Sequence, residues 1–420
     1  MIKICDNSYI RRFEYSYFFI MFIYMAQMTV GTNRMIAGIG APWLPFLLPI
    51  VLTFIILWQN RVNLSSHRLF KILAICLVWE VCVTINKGLY STGSQSFHFF
   101  LFYSIFIAYV HVQVFKKQIV PLYETVIVLF CKISLPLWAL SVLLPSVMTS
   151  LASIFPETNL GHNLFYLYNY IDADSQHHLR NSGCAWEPGR FAIMIVLGIY
   201  CNILRNGVKF KKNNNIWWLL LTLLTTMSTT GYLITILVFV ISIFRHLKKI
   251  NPVYIFFLVP LVIYLFSLDF MSDKISNQID LNSTMSSTLE QFGYHNQTTQ
   301  QGKYIASLGR FESMYFEFDN LIHDPIVGYG RDTRNSYFYN NISSNFYLTG
   351  GIIKVLSMYG LFLGLYFYFL LYKSSGKLNS LYKGGSKFLL FVIILLSSVS
   401  YDIFIIPIFT AFWLYDLFDS

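Results

Sequence analysis

The chain has 420 residues, 55% of them hydrophobic and only 12% charged, against roughly 25% charge in soluble domains. This composition excludes a soluble globular protein, and with it disordered, collagen-like and disulfide-scaffold chains. The net charge of +10 does not signal nucleic acid, because the basic residues fall in short clusters between apolar runs, the pattern that orients membrane helices.

Apolar runs occupy 16–30, 38–58, 69–85, 97–115, 119–144, 188–204, 216–244, 252–268, 351–372 and 387–417. Each exceeds an ordinary strand in length and reads as helix. The basic start before the first run looks like a signal peptide, but Arg34 and the second run follow closely, so an uncleaved first helix is expected. The connectors Lys3/Arg11/Arg12, Arg61/Arg68/Lys71, Lys116/Lys117, Arg205/Lys209/Lys211/Lys212, Arg245/Lys248/Lys249 and Lys373/Lys377/Lys383/Lys387 hold 19 of the 30 lysines and arginines. The positive-inside rule places them in the cytoplasm.

The run 216–244 has a basic connector at each end and must cross an even number of times, so it reads as a hairpin. Its turn is expected at Ser228-Thr229-Thr230-Gly231, and its short arms imply a turn sheltered below the outer surface. The run 387–417, interrupted by Ser397, Ser398, Ser400, Asp402 and Pro407, reads as a second hairpin. The expectation is an all-α polytopic integral membrane protein, one transmembrane domain over 1–420, with about twelve helices and both termini cytoplasmic. Inside the spans, Glu80 and Lys132 fall at similar depth and are expected to pair and fix helix packing. Asp402 is expected at the outer interface.

Two long connectors, 145–187 and 269–344, lie on the outer side and carry 13 of the 20 acids. The first ends in Arg180-Asn181-Ser182-Gly183-Cys184-Ala185-Trp186-Glu187-Pro188-Gly189-Arg190. Pro188 suits the first helical position, which puts Glu187 at the positive end of the dipole. A helix cap accounts for Glu187, but it leaves the two flanking arginines unexplained, and guanidinium forks suit phosphate. In the second connector Phe311, Met314, Tyr315, Phe318, Leu321 and Ile322 recur at helical spacing, while Arg310, Ser313 and Glu317 project from another sector. This predicts an amphipathic interfacial helix whose plainest charged face is a solvated one. His323 and Asp324 precede Pro325, and Gly328-Tyr329-Gly330 turns the chain toward Arg331 and Arg334. The histidines lack ligand spacing and no phosphate-binding Gly-Lys loop is present, so no metal or nucleotide cofactor is expected. Of six cysteines only Cys184 falls outside the spans on the outer side, and no structural disulfide is expected.

Arg180-x-x-Gly183 with Glu187-Pro188-Gly189-x-x-Ala192, the short hairpin with Ser228-Thr229-Thr230-Gly231, Arg310 with Pro325-x-x-Gly328-x-Gly330, and Asn345-Phe346-Tyr347-Leu348 followed by Gly360-Leu361-Phe362-Leu363-Gly364 together resemble the bacterial O-antigen polymerase and ligase superfamily. The likeness is strongest to Wzy-type polymerases of O-antigen or capsular repeat units. It covers about 180–364, and the first five helices contribute only hydropathy.

The resemblance implies a C-type glycosyltransferase-like enzyme of the bacterial inner membrane. It would join oligosaccharide repeat units carried on undecaprenyl diphosphate at the periplasmic face, without nucleotide sugar or metal. A hydroxyl of one lipid-linked unit attacks the anomeric carbon of the growing chain and the diphosphate leaves, so the protein mainly neutralises developing charge and aligns two lipids. Carried onto this sequence, the pattern makes Arg180 and Arg310 the leading diphosphate contacts, with Arg190, Arg331 and Arg334 secondary. Glu187, Glu317 and His323 are the candidate proton acceptors, with no choice among them. Membrane lipid, a chain-length regulator and a flippase are the implied partners. An O-antigen ligase would share most of this pattern, but that branch carries a histidine before the Asn-x-x-Leu stretch, where this chain has Ser344. A non-enzymatic flippase or exporter would concentrate its charge along the spans instead.

Overall fold

The structure is a computed structural model that describes residues 2–3, 9–27, 44–62, 64, 66–88, 95–155, 161–172, 178–211, 213–245, 306–307, 310–342, 346–348, 352–401, 403–404 and 406–419. The expected span 252–268 and the positions Ser344 and Asp402 lie outside the described residues. The helices are α1 (Arg12–Gln27), α2 (Leu44–Asn60), α3 (His67–Lys87), α4 (Gln95–Phe115), α5 (Ile119–Leu143), α6 (Pro145–Ala152), α7 (Pro188–Asn206), α8 (Asn214–Thr225), α9 (Thr229–Arg245), α10 (Arg310–His323), α11 (Ile352–Tyr382), α12 (Leu389–Ser398), α13 (Pro407–Trp413) and α14 (Tyr415–Phe418). Short two-stranded ladders pair Ile2–Lys3 with Tyr9–Ile10, Gly161–Leu164 with Tyr168–Ile171, and Ala306–Ser307 with Phe346–Tyr347. The all-α expectation, which treats 145–187 as a loop, therefore misses a β-hairpin at 161–171, whose Leu164, Tyr168 and Tyr170 pack against Met148 and Ala152 of α6.

The chain is mostly helical. Four of the described segments are long and apolar enough to cross a membrane: His67–Lys87, Leu101–Leu143, Pro188–Asn206 and Ile352–Tyr382. The second of these, at 43 residues, would run about 65 Å as one helix, twice a bilayer's hydrocarbon core of about 30 Å. It is broken where Lys116 takes a positive φ of 45°, so α4 and α5 are separate helices, as the Lys116/Lys117 connector predicts. Helix α7 is buried along almost its whole length, and α5, α8 and α9 pack on it. Helix α3 lies at the edge, with Leu77, Val78, Val81 and Ile85 facing outward.

The hairpin expected in 216–244 is present, and its turn sits slightly earlier, at Thr226-Met227-Ser228, with Met227 at φ 47°. Its 12- and 17-residue arms measure about 18 and 26 Å, and both lie against α7. The second hairpin is more broken than expected: ten-residue α12 and seven-residue α13 flank an irregular stretch whose Ile403, Phe404 and Ile406 are buried. Irregular backbone at depth is tolerated where protein shelters it, and here aromatic packing does so, with Phe404 against Tyr359, Phe367 and Trp413.

Several basic connectors meet at one end of the bundle. Arg205 closes on Glu124 at 2.5 Å, the Tyr382 hydroxyl donates to the Lys117 carbonyl, the Gly384 amide donates to the Leu204 carbonyl at 3.1 Å, and Lys377 lies 3.7 Å from Asp419. Of the expected pair, the Lys132 ammonium stands 5.8 Å from the centre of the Trp218 ring on α8, and Glu80 is buried on α3.

Candidate functional site

The first group of candidate residues gathers where α7 begins. Pro188 occupies the first turn, and Glu187 stands at the N-cap in extended conformation without a side-chain cap bond; the position therefore follows the cap reading, but the carboxylate does not perform the capping bond. Arg180 and Asn181 serve the hairpin turn. The Arg180 Nε donates to the Thr226 carbonyl at 3.1 Å, the Asn181 amide donates to the Thr225 carbonyl at 2.9 Å, and Asn181 Nδ2 donates to Thr225 Oγ1 at 2.9 Å. The first two bonds satisfy carbonyls that the end of α8 leaves open, and the third holds the Thr225 hydroxyl. Arg190 is buried and lines a small apolar pocket with Phe22, Tyr123, Met194, Ile406 and Phe409.

The second group is built on α10, which packs on the first half of α11. Its apolar residues divide, with Phe316 and Leu321 buried beside the polar sector. Tyr315, Phe318 and Ile322 are exposed, while Ser313, Glu317 and Asn320 are buried without exposed surface. The expected solvated charged face is thus the packing face. Glu317 receives Ser357 Oγ at 2.5 Å, Asn320 Nδ2 at 3.3 Å and the Tyr329 hydroxyl at 3.2 Å. Burial pushes its carboxyl above the ordinary carboxylate value, while the Lys354 charge and these hydrogen bonds pull it back.

The segment 325–331 is clamped by backbone bonds to a break in α11. Gly360 has φ 74° and ψ 167°, which frees polar groups that the helix would otherwise use. The Tyr329 amide donates to the Ser357 carbonyl at 3.0 Å, the Gly330 amide to Met358 at 3.1 Å, and the Leu361 amide returns to Pro325 at 2.8 Å. A Cβ on Gly360 would fall 2.1 Å from the Ile326 carbonyl oxygen, and one on Gly328 would fall 2.4 Å from that of Met358. The glycines are required because two backbones cross in contact. From the other side α3 holds the same segment: Trp79 Nε1 donates to the Val327 carbonyl at 2.8 Å, and Lys87 pairs with Asp324 at 2.7 Å.

Arg331 is buried, 5% exposed. Asp332 grips the partly exposed Arg334 through Nε and Nη2 at 3.0 and 2.8 Å. His323 lies on the exposed side of α10, with Nδ1 2.9 Å from the Asp319 carbonyl and its ring stacked on Tyr337. Arg310 opens α10; its side chain lies outside the description. The three candidate proton acceptors therefore occupy three different places: Glu187 at the α7 start, Glu317 inside the α10–α11 contact and His323 at the exposed end of α10. Between the two groups lie Ile406, in the Arg190 pocket, and Phe404, on Tyr359. Sequence reasoning missed Lys354, Ser357 and Asn320. Lys354 carried a signal, as a charge at the start of an apolar run.

Residues 215–355 match the family model Wzy_C, O-antigen ligase. The match covers about a third of the chain and supports a likeness to the O-antigen polymerase/ligase superfamily over that segment. The match starts in α8 and ends in the first turn of α11, so it takes in the sheltered hairpin, α10, and the clamped segment with its arginines. No curated protein matches the chain.

Proposed function

We propose that this protein is a membrane glycosyltransferase that polymerises undecaprenyl-diphosphate-linked repeat units into O-antigen or capsular polysaccharide. The carrying observation is the superfamily match over the segment that bears Arg310, Arg331 and Arg334. The basic end of the bundle faces the cytoplasm and the end bearing α10 faces the periplasm. The exposed Tyr315, Phe318 and Ile322 then meet lipid at the interface, which accounts for an apolar stripe pointing away from the protein.

In the reaction a sugar hydroxyl attacks the anomeric carbon of the partner chain. The bond to the diphosphate oxygen breaks, and its electron pair leaves with the undecaprenyl diphosphate. Arg310 and Arg180, with Arg190, Arg331 and Arg334, neutralise that departing charge, a task suited to preorganised guanidinium donors in a site of low dielectric. Glu187 or His323 takes the hydroxyl proton. No metal or nucleotide enters this scheme; a chain-length regulator and a flippase act beside it.

The second reading, a ligase, draws on the description of the matched family itself; Ser344, in place of the histidine that the resemblance gives to ligases, favours polymerase. Deletion of the gene separates the two. A polymerase deletion leaves single repeat units on the surface acceptor, seen as one band in place of a ladder, and complementation restores the ladder. Loss of all surface glycan with long lipid-linked polymer retained in the envelope would establish a ligase, and repeat units trapped on the cytoplasmic face a flippase.

A further inference from the structure

Glu317 has no exposed surface, and its oxygens are occupied from three elements: Asn320 on its own helix, Tyr329 on the clamped segment and Ser357 on α11. A general base needs a direct or one-water approach to the proton it takes. The α10–α11 contact leaves Glu317 none. What Glu317 does touch is Tyr329, held at its amide by Ser357 and at its hydroxyl by Glu317. Arg331 follows two residues later, buried, with Asp332 turning back onto Arg334. The flanking glycines give this segment backbone freedom that the Tyr329 anchors remove.

We propose that Glu317 is a positioning residue, which fixes Arg331 toward the diphosphate through the Tyr329 hydroxyl and exchanges no proton with the sugar. This rests on the glycosyl-transfer reading above and assigns Glu317 a different task from the one its sequence pattern suggested. The positioning is mechanical: a carboxylate that bonds both the helix and the segment transmits the α10–α11 packing to the arginine, and the transition state then meets a donor already in place.

The test uses membranes of the deletion strain, with their endogenous lipid-linked repeat units, complemented by full-length variants at matched membrane levels. The readout is the initial rate of ladder formation across pH. Glu317→Gln should slow polymerisation about tenfold without moving the acidic limb of the pH profile, and Tyr329→Phe should do the same. Arg331→Lys should cost about 100-fold, because a point charge cannot replace the fork. The Glu317→Gln/Arg331→Lys double variant should be no slower than Arg331→Lys alone, since a misplaced arginine has little left to lose. A merely structural role predicts multiplied losses of about 1,000-fold in the double variant, and that result would overturn the proposal. So would disappearance of the acidic limb in Glu317→Gln, which would make Glu317 the base, or full activity of Arg331→Lys. The glycosyl-transfer reading fails on a separate result: wild-type complementation that forms no polymer.

Discussion

Glu124 and Glu317 both have no exposed surface, yet they are buried in different ways at opposite ends of the bundle. Ser357, which meets Glu317, lies near the start of α11, whereas Tyr382, at its other end, reaches the Lys117 carbonyl beside the α5 start that carries Glu124. Glu124 faces the Arg205 guanidinium at 2.5 Å and the Asn202 and Asn215 amides at 2.8 Å each. Its charge is cancelled on the spot, and the partners tie α5 to α7 and α8. Glu317 meets a hydroxyl, a phenol and an amide, with Lys354 acting as a neighbouring charge. The ion pair makes a closed tie between helices. Three neutral donors make an adjustable one, which suits a segment that has to present arginines to a substrate. The contrast teaches that burial alone does not give a carboxylate its role; the charge and origin of its donors do.

The largest expected effect falls on the ion pair. Arg205→Ala strands Glu124 in the protein interior, a loss of about 3–5 kcal/mol, and should remove the protein from membranes on immunoblots. Replacing both partners by leucine should recover part of that level. Normal accumulation of Arg205→Ala would erase the distinction between the two ends.

Next comes the crossing under Glu317. Gly360→Ala puts a methyl 2.1 Å from a carbonyl oxygen at a φ of 74° and should destabilise by about 3 kcal/mol, read as thermal unfolding in detergent. Gly376→Ala, in the same helix with nothing within 4 Å of its added carbon, should be neutral or stabilising by up to about 1 kcal/mol. Equal effects at the two glycines would remove the steric argument. Close behind, Arg310→Lys keeps the charge but loses the fork, and should cost about 100-fold in polymerisation, about 2.7 kcal/mol of barrier. Activity near wild type would confine Arg310 to an electrostatic role.

The smallest effect is a pH dependence. Burial holds the folded-state carboxyl of Glu317 above its ordinary value of 4.5, so the folded state favours the protonated form. The stability this lends is full below about pH 4.5 and is lost as pH rises through the raised value. Thermal unfolding of wild type and Glu317→Gln should therefore shift in favour of the glutamine variant as pH rises from 4.5. Parallel curves would mean that Glu317 titrates normally and that the Lys354 charge offsets burial fully.

Much of the helical frame was legible because apolar runs and basic connectors are strong local signals. The expected 97–115, 119–144 and 188–204 are observed as Gln95–Phe115, Ile119–Leu143 and Pro188–Asn206. The hairpin in 216–244 followed from charge parity alone. Helix α10 was legible in its periodicity and misread in its facing, because a polar sector is packed inward when the surroundings of the helix are apolar. Glu80 and Lys132 were matched by depth, a coordinate that sequence gives, while the Trp218 ring that Lys132 meets depends on azimuth, which it does not. The site was legible as a set of residue types. Its assembly was not, because the bonds that make it, Glu317 to Ser357 and Trp79 to Val327, span 40 and 248 residues, and the backbone bonds of Tyr329 and Gly330 use the Ser357 and Met358 carbonyls beside the Gly360 break.

The turn between α8 and α9 has a consequence for how the chain is made. Its carbonyls are met by the Asn181 amide and the Arg180 side chain, which precede Thr225 and Thr226 by 44 and 46 residues. During synthesis the donors emerge before their acceptors exist. The hairpin arms, of 12 and 17 residues, are shorter than a bilayer's hydrocarbon core of about 30 Å, and the bonds that close their turn come from chain already laid down. The turn is thus closed by donors that the ribosome finished before the hairpin began.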